Sequence, residues 1–372
     1  MKKSSLHQFY SGKTVLVTGH TGFKGSWLCV WLRELGAHVI GYALEPETDP
    51  NNFSACGLES RMTHTVGDIR DLDRLLGVMK VHRPDVVFHL AAQALVRRSY
   101  ADPKETFDTN VGGTVNILEA IRQTPSVRVF LNITSDKCYD NREWVWGYRE
   151  SDPMGGHDPY SASKGCSELV FGAYAKSFFP GSSPGKRTVG LASVRAGNVI
   201  GGGDWAEDRL IPDCVRFLLQ DRAIGIRSPQ AIRPWQHVLE PLSGYLWLGA
   251  LLWDHPADYS GPWNFGPADS DHLSVEKVVS AFIECWGSGA WEDLSTEHNS
   301  LHEAATLRLC CDKARTFLRW RSVLPIEECL RMTADWYRTY YSRSRPDMYT
   351  VCRDQIRRYS RLAAAKDLGW SR

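Results

Sequence analysis

Tyr160 and Lys164, in the stretch Asp158-Pro159-Tyr160-Ser161-Ala162-Ser163-Lys164, lie one helical turn apart and so share a helix face. A free phenol has a pKa of about 10 and is a poor base at neutral pH, but a nearby ammonium favours the phenolate. Such a pair can move a proton on or off an alcohol or ketone. The same spacing occurs on ordinary helices, so its weight depends on what accompanies it. Ser135, Asp136 and Lys137 follow the apolar, β-branched run Val127 to Thr134, which reads as a strand. Open parallel α/β sheets place their ligands at strand C-termini. A hydroxyl, a carboxyl and an amine in a row are more than a turn there requires.

Other elements must position these groups. Lys13 to Thr18 reads as a buried strand, followed at once by Gly19-His20-Thr21-Gly22-Phe23-Lys24-Gly25, a helix over Ser26 to Leu35 and a second strand over Ala37 to Tyr42. This strand, glycine turn, helix, strand order is the context of a dinucleotide fingerprint. Its glycines let backbone approach a pyrophosphate resting on the helix N-terminus. The acidic residue that commonly ends the second strand and binds the adenosine ribose is replaced by Ala43, with Glu45 two residues later. Glu45 is the candidate substitute, and with Ala43 at the usual place the sequence itself argues less for NAD over NADP.

Val66 to Ile69 reads as a third strand end, where Asp68, beside Ile69, either binds the adenine amino group or caps the helix from Asp71. Pro84 to Ala91 is a fourth strand running into Ala91-Ala92-Gln93, whose small side chains let a cofactor lie against backbone. Asn110 is expected to cap a helix over Val111 to Arg122. The helix carrying Tyr160 runs to about Phe178, and Pro180 to Lys186 is a surface loop. Leu191 to Ala196 is a sixth strand, followed by a long loop from Gly197 to Trp205.

Beyond that loop the periodicity is mixed. Helices are expected over Leu210 to Leu219, Pro241 to Trp253, Ser274 to Trp286, Asp312 to Leu318 and Ile326 to Tyr340. The segment from Arg338 onward is rich in Lys and Arg, which suits either a solvated helix or a partner surface. The chain thus divides into a nucleotide-binding domain over 1–199, to which 234–256 returns, and a smaller lobe over 200–372.

With 372 residues, 43% of them hydrophobic, the chain can bury a sizeable core. Lys and Arg number 44 against 43 acidic residues, so charge gives no argument for nucleic acid or an anionic membrane. No apolar run follows Lys2 and Lys3, and the longest, Tyr245 to Trp253, is too short to span a bilayer. The ten cysteines show no C-x-x-C spacing and read as reduced thiols of a cytoplasmic protein, with no metal site.

The strings GHTGFKGSWL from Gly19, HLAAQALVRRSY from His89, ITSDKCYDN from Ile133, GGHDPYSASKG from Gly155, RAGNVIGGGDW from Arg195 and RPWQHVLEPLSGYL from Arg233 resemble the extended short-chain dehydrogenase/reductases. Within that family they are similar to the sugar-nucleotide 4,6-dehydratases, and the resemblance covers nearly the whole chain. It implies an α/β fold: a seven-stranded, doubly wound Rossmann-type parallel sheet with a smaller C-terminal substrate-binding lobe. It further implies NAD as cofactor, CDP-glucose as the small-molecule substrate and assembly as a dimer or tetramer. Ser135, Tyr160 and Lys164 match the family's hydride-transfer trio, and Asp136 its acid. Lys137 stands where dTDP-glucose dehydratases carry a glutamate base. Asn198, Arg233 and Asn264 match positions that hold the nucleotide diphosphate or base. Arg209 joins them on charge and location.

Two rival readings remain at this stage. A nucleotide-sugar epimerase needs no acid for a departing C6 hydroxyl, so Asp136-Lys137 argues against it. A dinucleotide-binding sensor without chemistry would not need Ser135, Asp136, Tyr160 and Lys164 together.

Overall fold

Seven strands form one sheet: β1 (Thr14–Thr18), β2 (His38–Ala43), β3 (Thr63–Val66), β4 (Val86–His89), β5 (Val129–Ile133), β6 (Gly190–Ala196) and β7 (Gly261–Phe265). They come from a computed structural model that describes residues 5–179, 188–268, 272–296, 306–344 and 346–371. The loop expected over Pro180 to Lys186 lies outside the described residues. The strand order is β7-β6-β5-β4-β1-β2-β3, and every neighbouring pair is parallel.

Side chains alternate between the two faces of the sheet. Val15 and Val17 enter one core with Trp27, Leu28 and Trp31, while Leu16 enters the other with Ile117, Leu118 and Phe130. Burial on both faces explains why the inner strands read as near-continuous apolar runs. The doubly wound parallel sheet expected from the resemblance is therefore present.

Four helices matter most for the site. Helix α1 (Phe23–Glu34) follows the glycine turn after β1, and α2 (Pro159–Phe178) carries Tyr160 and Lys164. Helix α3 (Leu239–Asp254) is buried along most of its length; its Leu246 carbonyl accepts a 2.9 Å hydrogen bond from the Tyr10 hydroxyl. Helix α4 (Met348–Ala365) holds the basic residues near the C-terminus. It is neither wholly solvated nor a free surface. Met348, Cys352, Ile356 and Tyr359 are buried, and the Tyr359 ring packs edge-on against Trp31 of α1 at 5.8 Å.

The second lobe is built on helices Leu210–Leu218, Val275–Trp286 and Ile326–Tyr340 with short two-stranded ladders between them. Among the described residues no helix is long and apolar enough to cross a membrane.

Three local expectations are corrected. The third strand ends at Val66, so Gly67-Asp68-Ile69 is the turn beyond it. The chain is already helical from Pro103 and passes through a π-turn at Asp108–Gly112, which makes Asn110 a helix-interior residue and not a cap. The segment Asp312 to Leu318 is helical, but its Ala314–Leu318 part is a π-turn.

Candidate active site

The strand order reverses between β4 and β1, and a doubly wound sheet opens a crevice at such a point, beyond the strand C-termini. A cleft of about 1200 Å³ occupies this position, walled on its far side by the second lobe. Each of its parts can be traced to a local cause.

The glycine turn forms one wall. Gly19 has φ +72°, and a Cβ there would come within 2.7 Å of the Ala91 backbone nitrogen. A Cβ on Gly25 would fall 2.1 Å from the Gly19 carbonyl oxygen. Side chains at these positions would block both the turn and the close approach of Ala91-Ala92. Gly22 is the N-cap of α1 and supplies no side-chain hydrogen bond, so the first amides of the helix are left to an external acceptor. Gly22, Phe23, Lys24, Ala91, Ala92, Gln93, Asp68 and Ile69 all line the cleft, as do Ala43 and Glu45. These features fit a dinucleotide: a pyrophosphate on the uncapped helix, and small residues where its rings must pass.

The two readings of Asp68 separate here. Asp71 is the residue that caps the following helix, through the Arg74 amide. Asp68 instead grips the Arg70 guanidinium at 2.5–3.0 Å and faces the cleft.

Asn110 has a use that the sequence did not suggest. Its side chain accepts from the Gln93 amide at 2.9 Å and donates to the Gln93 carbonyl at 3.0 Å and the Ser163 hydroxyl at 2.8 Å. It thereby ties the Ala91-Ala92-Gln93 turn to the helix that carries Tyr160. An asparagine inside a helix, where it has poor intrinsic propensity, was the only available signal.

The reacting groups meet at the end of β5. Ser135 caps the short turn Asp136–Cys138, its hydroxyl accepting from the Lys137 amide at 3.2 Å and donating to Asp136 Oδ1 at 3.0 Å. Asp136 is 2% exposed, and its Oδ2 has no hydrogen-bond partner. Burial raises the Asp136 pKa; the charges of Lys137, Arg233 and Lys24 and the Ser135 hydrogen bond oppose that rise without cancelling it. A buried carboxyl whose pKa is raised, with one oxygen free of hydrogen bonds, is what the site offers.

Tyr160 is likewise buried. Burial lifts its phenol to about 12, with a Ser135 hydrogen bond and the Arg209 charge pulling the other way. The expected lowering by Lys164 is not among the main influences, and the Lys164 ammonium lies 6.0 Å from the ring centroid. Lys164 is itself lowered to about 8 by burial, against the upward pull of Glu168. Lys24 is also lowered to about 8, first by burial and then by the charges of Arg209 and Lys164.

The four expected substrate-binding residues divide. Asn198, Arg209 and Arg233 line the cleft. Arg209 is fixed by Asp204 at 2.9 Å, and Arg233 places its charge against Asp136. Asn264 does not line the cleft. It is fully buried, accepts from the Tyr139 hydroxyl at 2.7 Å and donates to the carbonyls of Tyr148 and Cys310 at 2.9 and 3.1 Å. Its amide is saturated by protein.

Residues 16–181 match the family described as GDP-mannose 4,6 dehydratase. A CDP-glucose 4,6-dehydratase of Salmonella typhimurium strain LT2 is 52% identical over 332 residues, which is 89% of this chain and 92% of that protein. Among solved structures, a UDP-glucose-4-epimerase of Stenotrophomonas maltophila with bound NAD and formylated UDP-arabinopyranose matches with TM-score 0.75 at 22% identity, covering 88% of this chain and 98% of its own. A dTDP-glucose 4,6-dehydratase of Bacillus anthracis in complex with NAD matches with TM-score 0.72 at 20% identity, covering 89% and 98%. At those identities the two structures establish the shared fold.

Proposed function

The chain belongs to the CDP-glucose 4,6-dehydratase family, and from that premise we propose that it converts CDP-D-glucose to CDP-4-dehydro-6-deoxy-D-glucose and water with NAD as a resident cofactor. The observation that carries this reading is Asp136: a buried carboxyl with a raised pKa next to Ser135 in a cleft that also contains Tyr160 and Lys164. Oxidation of an alcohol needs only the trio. An acid beside them serves a departing hydroxyl.

The residues divide the work as follows. Beside Gly22, the uncapped amides of Phe23 and Lys24 hold the cofactor's pyrophosphate, with Ala91, Ala92 and Gln93 beneath it and Asp68-Ile69 at the adenine end. The NAD held there would supply a hydride acceptor for C4 and, once reduced, a hydride donor for C6. Tyr160 takes the proton of the C4 hydroxyl, and Ser135 hydrogen-bonds that oxygen. A phenol lifted to about 12 is protonated at neutral pH, so its own proton must first pass on. Lys164, near 8 and one helical turn away, can accept it. The C4 ketone then acidifies the C5 hydrogen. Lys137 faces that proton, while Asp136 protonates the hydroxyl leaving C6. Asn198, Arg209 and Arg233 hold the nucleotide diphosphate. The sum is redox-neutral, so the cofactor has no need to leave.

The family and the free state of all ten cysteines support a cytoplasmic homo-oligomer, dimer or tetramer. We also keep the division into a nucleotide-binding domain over 1–199, with 234–256, and a mainly sugar-nucleotide-binding lobe over 200–372.

Two measurements test the reaction. CDP-glucose should turn over faster than dTDP-, UDP- or GDP-glucose by about 10²-fold or more, the order of discrimination a shaped pocket supplies. Equal turnover of dTDP-glucose would remove the cytosine assignment. During turnover of CDP-glucose, free NADH should not build up. One NADH released per sugar consumed would mean a simple dehydrogenase.

A further inference from the structure

Beneath the reacting groups lies a buried ion pair that no step above uses. Glu168 sits on α2 one turn beyond Lys164, as Lys164 sits one turn beyond Tyr160, so all three share a face. Arg195 on β6 reaches Glu168 with two nitrogens, Nε to Oε1 at 3.0 Å and Nη2 to Oε2 at 2.8 Å, and the two side chains are 3% and 4% exposed.

The remaining hydrogen-bonding capacity of the pair is spent on the segments that frame the reaction. Glu168 accepts from the hydroxyls of Thr134, the residue before Ser135, and of Ser193. Arg195 Nη1 donates to the Tyr139 hydroxyl at 2.8 Å and to the Glu150 carbonyl at 3.1 Å. Tyr139 directly follows the Asp136–Cys138 turn.

We propose that the Glu168–Arg195 pair is a positioning device for the reaction centre, in which Glu168 supplies the buried negative charge that faces the Lys164 ammonium while the pair fastens the Ser135–Lys137 turn to the Tyr160/Lys164 helix. The proposal rests on the reaction given above and deepens it.

The physical argument has two parts. Burying a charged pair is costly, and a pair of well-packed apolar side chains would serve stability at least as well. A fully hydrogen-bonded buried pair touching both catalytic segments points to a role in geometry and charge. Second, phenol with amine and phenolate with ammonium differ by one proton moved from Tyr160 to Lys164. The other titratable groups facing Lys164 are Cys138 from the turn, His89 from β4 and Lys24 from α1. Glu168, ion-paired with Arg195, is the carboxylate that raises Lys164, and burial leaves it little screened by water or salt. It favours the phenolate–ammonium arrangement, the one in which Tyr160 can act as base.

The test reads Lys164 directly. Lysines carrying ¹³C at Cε are titrated by NMR, with the Lys164 signal assigned through its loss in Lys164→Arg. In Glu168→Gln the Lys164 midpoint should fall by at least about one pH unit. Glu168→Asp should restore most of it. Because Glu168→Gln strands the Arg195 charge, the double variant Glu168→Gln/Arg195→Met removes both ends and keeps the volume filled; it should fold and show the same lowered midpoint. In both charge-free variants the acid limb of kcat should move to lower pH with KM little changed. A lower melting temperature with an unmoved Lys164 midpoint in the folded double variant would overturn the proposal and leave a purely structural pair. The titration needs no turnover, so a wild-type protein inactive on CDP-glucose would sink the proposed reaction and still leave this result readable.

Discussion

Tyr160→Phe should lose about 10²-fold or more in turnover of CDP-glucose, the usual scale for removing a general base, while remaining folded. The variant keeps the ring and its packing and deletes one hydroxyl. That hydroxyl acts on Ser135, whose bonds to Asp136 Oδ1 at 3.0 Å and the Lys137 amide at 3.2 Å do not depend on it. The stability cost is therefore a single hydrogen bond, about 1 kcal/mol. The backbone amide of Tyr160 still donates to the Ser99 hydroxyl at 3.1 Å, so the start of α2 stays anchored.

The loss should already appear in the first half-reaction. Mixed with CDP-glucose in a single turnover, the variant should form enzyme-bound NADH far more slowly than wild type, because the C4 oxidation is the step that needs the phenolate. Near-normal rates would make Tyr160 an ordinary helix residue. The pH dependence follows from the same groups. On the acid side the rate should rise with pH as Lys164, near 8, gives up its own proton and becomes able to accept that of Tyr160. It should level off above that midpoint, since the Tyr160 phenol, lifted to about 12, keeps its proton until Lys164 takes it. Tyr160→Phe should lose the acid-side rise.

What the sequence made legible was whatever depends on local order. The inner strands, the glycine turn and the Tyr160 helix are each announced by a periodicity or by residues that only one backbone tolerates, and the structure places them within a few residues of expectation. The seventh strand was not legible from its residues: Gly261-Pro262-Trp263-Asn264-Phe265 contains three residue types that strands disfavour, and it is a strand because β6 pairs with it. Only the resemblance implied it.

The site shows the same limit. Charges such as Arg209, Arg233 and Asp136 could be named from the sequence, but their protonation depends on burial, which is a tertiary property. Hence Tyr160 moves up where Lys164 alone would have moved it down. Asn264 was expected to meet substrate and is consumed by Tyr139, Tyr148 and Cys310, residues that lie far from it in sequence. Asn110 and the Glu168–Arg195 pair were missed for the converse reason: a polar residue within a helix or strand gives no hint of the long-range partner that justifies it.

Lys137→Ala should abolish exchange of the C5 hydrogen with solvent in a bound 4-keto sugar and still allow some enzyme-bound NADH to form from CDP-glucose. The first effect should be about 10²-fold or more, as for any lost general base. Lys137 is half-buried and lines the cleft, and among the described residues no hydrogen bond or ion pair fixes its side chain, so truncation should spare the fold. Its charge pulls the Asp136 pKa down, against a larger rise from burial.

That balance bears on which of two roles Lys137 has. As a base at C5 the amine must be neutral while Asp136 is protonated. The alternative arrangement, ammonium beside carboxylate, differs from this one by a single transferred proton. As a fixed cation Lys137 would instead stay charged and stabilise the C4 enolate. Persistence of C5 exchange at the wild-type rate in Lys137→Ala would eliminate the base role. Lys137→Arg then decides the rest. A guanidinium stays protonated at any pH the protein tolerates, so it can stand in for a fixed cation and cannot accept the C5 proton. Restored dehydration in Lys137→Arg would identify the cation, and continued absence of C5 exchange would identify the base.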